Sequence, residues 1–280
     1  MKLSPRYDGP PILSVDGAPD DQAAPVARQR RRMESMLAGL DADGWSAPSR
    51  CDGWTVQDVI SHLVGVNGFW ETSVKAGLAG EPTRMLAAFD PAAHPALMVG
   101  AMQELSAAEV FDQFVASNSG FLGALESLDA DGWTKLAESP PGHVPIRLLA
   151  QHALWDSWIH ERDIALPLGL VPPEEPDEVQ SCLVYAAAIG PALAVMHDGA
   201  FRGALVVEAE DPETRFTLIV EDSVAVRDGA AAGAPVLSGS AVELVEVLSV
   251  RAPLPANAPA EWRHLLQGLA TVFEVPVETV

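Results

Sequence analysis

Cysteine and basic residues are scarce in this sequence. The two cysteines among 280 residues, Cys51 and Cys182, are too few for a disulfide framework and do not form a closely spaced metal-binding pair. A reducing cytoplasm is therefore expected. Lys and Arg number 17 against 39 Asp and Glu, a formal net charge of -22. Such a charge should repel nucleic acids and anionic membranes, although a negative surface also keeps a protein of any function soluble.

Targeting segments and several common catalytic motifs are also missing. Met1 to Pro11 lacks the apolar core of a signal peptide, so no export is expected. The most apolar stretch, Leu183 to Met196, is shorter than the roughly 20 residues that span a bilayer and predicts a buried helix. We find no phosphate loop, dinucleotide fingerprint, Gly-x-Ser-x-Gly elbow or His-Glu-x-x-His sequence. Nucleotide chemistry and serine hydrolysis therefore lose support.

The composition divides the chain into three parts. Residues 1–24 are rich in Pro, Gly and Asp without periodicity and predict an irregular arm. Residues 25–171 show apolar residues at helical spacing and predict a four-helix bundle. A Pro-rich acidic linker at 172–176 follows. Residues 177–280 combine helical and alternating patterns and predict a small α+β domain.

Helix signals place the elements more closely. The bundle helices are expected at Pro25 to Leu40, Thr55 to Leu78, one or two segments within Met98 to Leu128, and Ile146 to Leu166. Thr55 and Asp58 fit a capping box. The first helix is predicted to expose a basic face made of Arg28, Arg30, Arg31 and Arg32. The second domain is expected to contain helices at Asp177 to Val195, Ser240 to Val250 and Ala260 to Val272, and antiparallel strands at Ala204 to Ala209, Arg215 to Val220 and Ser223 to Arg227.

A candidate metal site follows from helical spacing. His152, Asp156 and His160 are spaced i, i+4 and i+8, so they lie on one face of the fourth helix. Asp156 and His160 can converge on one point, and a third ligand must come from a facing helix. His62 is the best candidate because it shares an apolar stripe of the second helix with Val59.

These residues also have readings without a metal. His62 can be a hydrogen-bonded core histidine, and an Asp-His ion pair among these residues can tie the fourth helix to the second without a metal. His152 can orient Asp156 as an outer partner or belong to a different ligand set. Cys51, just before the second helix, can be a reactive thiol, but an inert small residue is the more common case.

The chain resembles a known family over three segments, Cys51 to Leu63, Asp156 to Ile164 and Gly239 to Arg251. That family is the mycothiol-dependent maleylpyruvate isomerase family of DinB-like four-helix-bundle metalloenzymes. The stretch from Cys51 to Leu63 is similar to the family's Gly-Trp-Thr/Ser-Val helix start with its first histidine ligand. The stretch from Asp156 to Ile164 is similar to its acidic-x-x-x-His ligand pair. In addition, the segment from Gly239 to Arg251 resembles the family's sterol-carrier-like C-terminal domain.

The resemblance implies an enzyme with a divalent metal, expected to be zinc, held by His62, Asp156 and His160. It implies mycothiol as the thiol cofactor, activated at the metal for cis-trans isomerisation or S-transfer to a small electrophile. Arg251 matches the family's C-terminal arginine near the cleft, where it would hold a substrate or cofactor carboxylate; a solvent-facing arginine is the alternative. Asp156 departs from the pattern, since active isomerases of the family have Glu there.

Two other classes of function stay open on the sequence. One is a non-catalytic carrier whose C-terminal domain binds an apolar molecule or lipid while the bundle supports it. The other is a metal-free interaction protein. A monomer or homodimer acting on a small molecule, with neither nucleic acid nor membrane as a partner, is expected in the enzyme case.

Overall fold

The computed structural model describes residues 3–16, 22–91, 93–198 and 201–274, and in it a helical bundle precedes a unit built on a mixed sheet. The helices of the first part are α1 (Ala23–Leu37), α2 (Ala42–Ser46), α3 (Val56–Leu78), α4 (His94–Gly100), α5 (Ala107–Glu126) and α6 (Ile146–Ala165). Helices α1, α3, α5 and α6 form the bundle, in which α1 and α3 each contact both α5 and α6. The predicted fold class, a four-helix bundle followed by a small α+β domain, is confirmed.

Helix α3 begins with the predicted capping box. The Thr55 hydroxyl accepts from the Asp58 backbone N–H, and the Asp58 carboxylate accepts from the Thr55 backbone N–H at 2.9 Å. These two bonds satisfy donors that the first turn would otherwise leave unpaired. The helix therefore starts at a defined residue, which fixes the rotational position of His62 two turns later.

Replacing Thr55 by Ala should weaken this start without touching the core. We expect a loss of about 1 kcal/mol in the free energy of unfolding, the usual cost of removing a Thr cap. Urea unfolding at neutral pH measures it, and Thr72→Ala, on the exposed face of α3, is the control. A change below the error of the measurement would show that packing alone sets the start of the helix.

The second part is organised around a sheet. Its elements are α7 (Pro176–Asp198), β4 (Gly203–Glu210), β5 (Thr214–Val220), β6 (Val224–Asp228), β7 (Val236–Ser240), α8 (Ala241–Leu248), α9 (Arg263–Leu266) and α10 (Gly268–Val272). Strands β4, β5 and β6 are antiparallel, as predicted. Strand β7 was not predicted, and it pairs with β4 in parallel. Within the described residues, the sheet order is β1-β6-β5-β4-β7, where β1 is Leu13–Val15.

The prediction of an irregular arm over residues 1–24 is incomplete. Strand β1 pairs in parallel with β6 and buries Leu13 completely. Closer to the N-terminus, the Arg6 backbone forms hydrogen bonds with a hairpin made of β2 (Leu136–Ser139) and β3 (Gly142–Pro145). The N-terminal segment therefore joins the sheet of the second part to the hairpin of the first part.

Helix α7 is the apolar segment predicted to be buried. By length and composition residues Pro176–His197 could cross a membrane, but 72% of the most apolar window is buried inside the protein, as in the core helix of a soluble fold. It packs on α6 and on α8, α10 and the sheet. The predicted domain boundary at 172–176, just before this helix, stays a prediction.

Candidate metal centre

The structure brings together the three residues selected by spacing. His62 lies on α3, while Asp156 and His160 lie one turn apart on α6, and one ligand atom from each falls within 4.8 Å of the others. The imidazole rings of His62 and His160 meet edge to face, with centroids 5.2 Å apart. The Trp54 ring packs against the His62 ring, with centroids 5.5 Å apart. The two helices thus present two nitrogen ligands and one oxygen ligand to one point.

Unpartnered atoms mark this cluster as a place for a cation. His62 Nδ1 and Asp156 Oδ2 are buried, and neither has a hydrogen-bond partner among the described residues. Asp156 Oδ1 lies 3.8 Å from His160 Nε2, too far for a hydrogen bond. Buried polar atoms normally find a partner. Two imidazoles and one carboxylate are a common zinc ligand set that leaves a fourth position open.

The far side of the His160 ring is fixed by a carboxylate. His160 Nδ1 lies 3.0 Å from Asp163 Oδ2, and since an ionised carboxylate only accepts, Nδ1 is the donor. Arg251 Nη2 donates to the same Oδ2 at 2.8 Å, and Arg50 Nε donates to Asp163 Oδ1 at 3.0 Å. This arrangement orients His160 Nε2 toward Asp156, as a carboxylate does for a metal-bound histidine.

Burial and neighbouring groups together determine the protonation state of each side chain in the cluster. Burial, with a smaller contribution from His160, lowers the pKa of His62 to about 4, so this ring is neutral at pH 7. Burial disfavours the charged form of His160, but the bonds to Asp163 and Cys51 outweigh it and raise the pKa to about 10. Burial would raise the pKa of Asp163, yet His160 and Arg251 hold it well below its usual value. The cluster therefore contains neutral His62 and protonated His160.

A second group of possible ligands shares His160. Cys51 Sγ donates to Asp163 Oδ2 at 3.3 Å and lies 3.7 Å from His160 Nδ1. Cys51, His160 and Asp163 also offer ligand atoms within 4.8 Å of one another. However, Asp163 already balances the guanidinium groups of Arg50 and Arg251, which a cation at this place would have to face. Electrostatics therefore favours the His62 side of His160 for a metal.

His152 occupies a separate cluster one turn before Asp156. Its Nδ1 lies 2.6 Å from the Tyr185 hydroxyl and 3.5 Å from Ser139 Oγ. Its ring also contacts Trp70, with centroids 4.8 Å apart. Burial lowers the pKa of His152 to about 4. No metal-ligand group of the described residues includes it, so the structure fits an outer role better than a ligand role.

One expectation from the sequence needs correction. The basic face of α1 is not exposed as a whole, because Arg30 is completely buried against α6, whereas Arg31 is 70% exposed. Arg28 and Arg32 pair with Glu178 of α7. The periodicity of α1 could not show that neighbouring helices with acidic residues cover this face.

Arg251 and Cys51 have more defined surroundings than the sequence suggested. The Arg251 guanidinium is neither free nor solvent-facing: it binds Asp163, and its Nη2 lies 3.9 Å from Cys51 Sγ. Cys51 thus has both a basic neighbour and an acidic one. No local pattern in the sequence marks Asp163, and its central place in this network depends on contacts with distant residues such as Arg50 and Arg251.

The bundle and this cluster define a class: helical-bundle proteins with a group of histidine and carboxylate side chains between two helices that could hold a metal ion. The family model described as mycothiol maleylpyruvate isomerase N-terminal domain matches residues 26–165. The chain belongs to this family. Comparison with curated proteins gives no match.

Two solved structures share the fold. The crystal structure of the mycothiol-dependent maleylpyruvate isomerase superposes with a TM-score of 0.59 at 20% identity, covering 82% of this chain and 88% of that chain. A histidine-to-alanine mutant of that enzyme gives a TM-score of 0.58 with the same identity and coverage. The similarity therefore includes the C-terminal unit as well as the bundle.

Proposed function

We propose that the protein is a mycothiol-dependent metalloenzyme of the cytoplasm, with zinc held by His62, Asp156 and His160. The observation that carries the proposal is the convergence of these ligand atoms within 4.8 Å beside a buried His62 nitrogen that has no partner among the described residues. Membership in the maleylpyruvate isomerase family supports a thiol-dependent reaction on a small electrophile. Isomerisation of a cis double bond and S-transfer both fit this site.

The chain's own residues prepare the site for this chemistry. When bound, zinc supplies a Lewis acid that stabilises the thiolate form of a coordinated thiol near neutral pH. Asp163 holds the His160 ring so that Nε2 faces the ligand cluster. The Trp54 ring packs against the His62 ring and helps to hold it in place. Arg251 lies at the border of this cluster, where its bond to Asp163 positions the His160 side of the site.

Metal analysis and thiol binding test the proposal together. Protein purified without a histidine tag should contain about one zinc per chain, and mycothiol titrated in a calorimeter should bind to the zinc-loaded protein. Both signals should disappear in His62→Ala. Substoichiometric amounts of every divalent metal would contradict the enzyme hypothesis, whereas thiol binding that survives in His62→Ala would favour a metal-independent carrier.

Zinc affinity should rise with pH. In the metal-free protein His160 carries a proton up to a pKa of about 10, while His62 is already neutral above about 4. Binding at His160 Nε2 must therefore release one proton between these values, and each pH unit should change the affinity about tenfold. Chelator competition at pH 6, 7 and 8 measures this dependence. A flat profile would mean that His160 does not bind the metal.

A further inference from the structure

Arg30 is a fully buried charged residue that lacks partners among the described residues for part of its guanidinium. Its side chain is completely buried in the bundle, and its Nη2 donates to the Ala153 carbonyl at 3.3 Å. Its Nε and Nη1 have no hydrogen-bond partner within the described ranges. Burial lowers the pKa of Arg30 to about 10, although the charges of nearby carboxylates act to raise it. The guanidinium therefore stays protonated at neutral pH. A buried guanidinium with two unused donors is costly and calls for an acceptor.

Three carboxylates act on Arg30 through their charge, and they differ in how they are bonded. Glu161 accepts from Arg32 at 2.7 Å, and Glu34 accepts from Asn118 at 2.7 Å. Asp156, whose charge acts most strongly on Arg30, has a buried Oδ2 without a partner in the described part of the chain. The unused donors of Arg30 and the unused acceptor of Asp156 therefore match.

Helix geometry places the two groups on the same side of α6, beyond hydrogen-bonding distance of each other. Ala153, whose carbonyl binds Arg30, precedes Asp156 by three residues on α6, and residues three apart lie on the same side of a helix. The other oxygen of Asp156, Oδ1, faces His160. One oxygen of the carboxylate thus belongs to the metal face, while the other is left for a donor from the bundle.

We propose that Arg30 is a positioning residue for the metal centre: its buried charge on α1 attracts the outer oxygen of Asp156 across a gap longer than a hydrogen bond, and this attraction keeps Oδ1 directed at His62 and His160. This inference rests on the proposed metal site. Outer partners of a metal-ligating carboxylate commonly change metal affinity roughly 10- to 100-fold. Arg30 gives the short Asp156 side chain a fixed orientation that its length alone does not provide.

Replacing Arg30 by Met separates this role from simple packing. If Arg30 positions Asp156, Arg30→Met should bind zinc roughly 10- to 100-fold more weakly in a chelator competition. The metal-free variant should unfold at a similar temperature, since an apolar side chain of similar size tolerates this environment. Arg30→Lys, which keeps the charge but loses the planar fork, should recover part of the affinity. Arg31→Met, on the same helix but 70% exposed, should match the wild type.

The outcomes of this experiment are distinguishable. Wild-type zinc affinity in folded Arg30→Met would overturn the proposal and leave Arg30 a packing residue. If the wild type itself binds no zinc, the proposed function fails. The interaction between the Arg30 and Asp156 charges is then tested in metal-free protein by the unfolding midpoints of Arg30→Met, Asp156→Asn and the double variant. Non-additive changes in these midpoints support the interaction, and additive changes refute it.

Discussion

Zinc binding should be lost in His62→Ala while the fold is retained. Within its ligand group His62 supplies the one ligand from α3, so its removal leaves two protein ligands on α6. We expect the affinity to fall by more than the roughly 100-fold that loss of an outer partner can cost. Stability should change by only about 1 kcal/mol, because His62 Nδ1 forms no hydrogen bond to the described residues that would be broken.

The control for this experiment is His197→Ala. His197 is exposed near the end of α7 and belongs to neither group of possible metal ligands among the described residues, so its replacement should leave zinc affinity and mycothiol binding unchanged. Zinc content after dialysis and chelator competition give the two readouts. If His62→Ala kept one tightly bound zinc, the metal would have to be assigned to the group formed by Cys51, His160 and Asp163.

Asp163→Asn should damage both stability and metal affinity. The carboxylate of Asp163 has no exposed surface and pairs with the guanidinium groups of Arg50 and Arg251. Removing its charge leaves both arginines short of a carboxylate, which costs about 3 kcal/mol, the lower end of the usual range because each arginine is about a quarter exposed. His160 would also lose the acceptor that orients it, lowering zinc affinity roughly 10- to 100-fold.

The pH dependence of this effect has a definite sign. Since the pKa of Asp163 is depressed in the folded protein, its contribution to stability is present above the ordinary value of 3.8 and is lost as the pH falls below it. Wild type and Asp163→Asn should therefore differ at pH 7 and converge in acid. Urea unfolding over this range measures the difference.

Glu246→Gln provides the matched control for Asp163→Asn. Glu246 accepts from Arg50 at 2.8 Å and from Arg162 at 2.6 Å, but it has no contact with His160 among the described residues. It should lose stability without losing zinc affinity. If both variants weakened zinc binding equally, the effect would come from the docking of the C-terminal unit rather than from the orientation of His160.

The sequence predicted the parts of the site that local spacing determines. Asp156 and His160 are four residues apart on one helix, and the capping box at Thr55 sets the start of the helix that carries His62. Each of these features depends on neighbours in the chain. Local patterns in the sequence were therefore sufficient to predict both helices and the three residues that converge between them.

The remaining features depend on contacts between distant residues. Arg251 reaches Asp163 across 88 positions, and no local pattern connects them. Arg30 looks like any arginine in a basic run, and only the packing of α1 on α6 shows that it is buried. Strand β1 has three residues, too few for a visible alternation, and becomes a strand only because β6 offers its edge.

The pairing of β1 with β6 sets an order for folding during synthesis. The ribosome releases Leu13 early, yet its partner Val224 emerges only after the bundle and most of the sheet have been made. Until then, the N-terminal segment has no strand to pair with. The outer edge of β6 is covered by a part of the chain that was made long before it, so the sheet gains protection against edge-to-edge association only when this pairing forms.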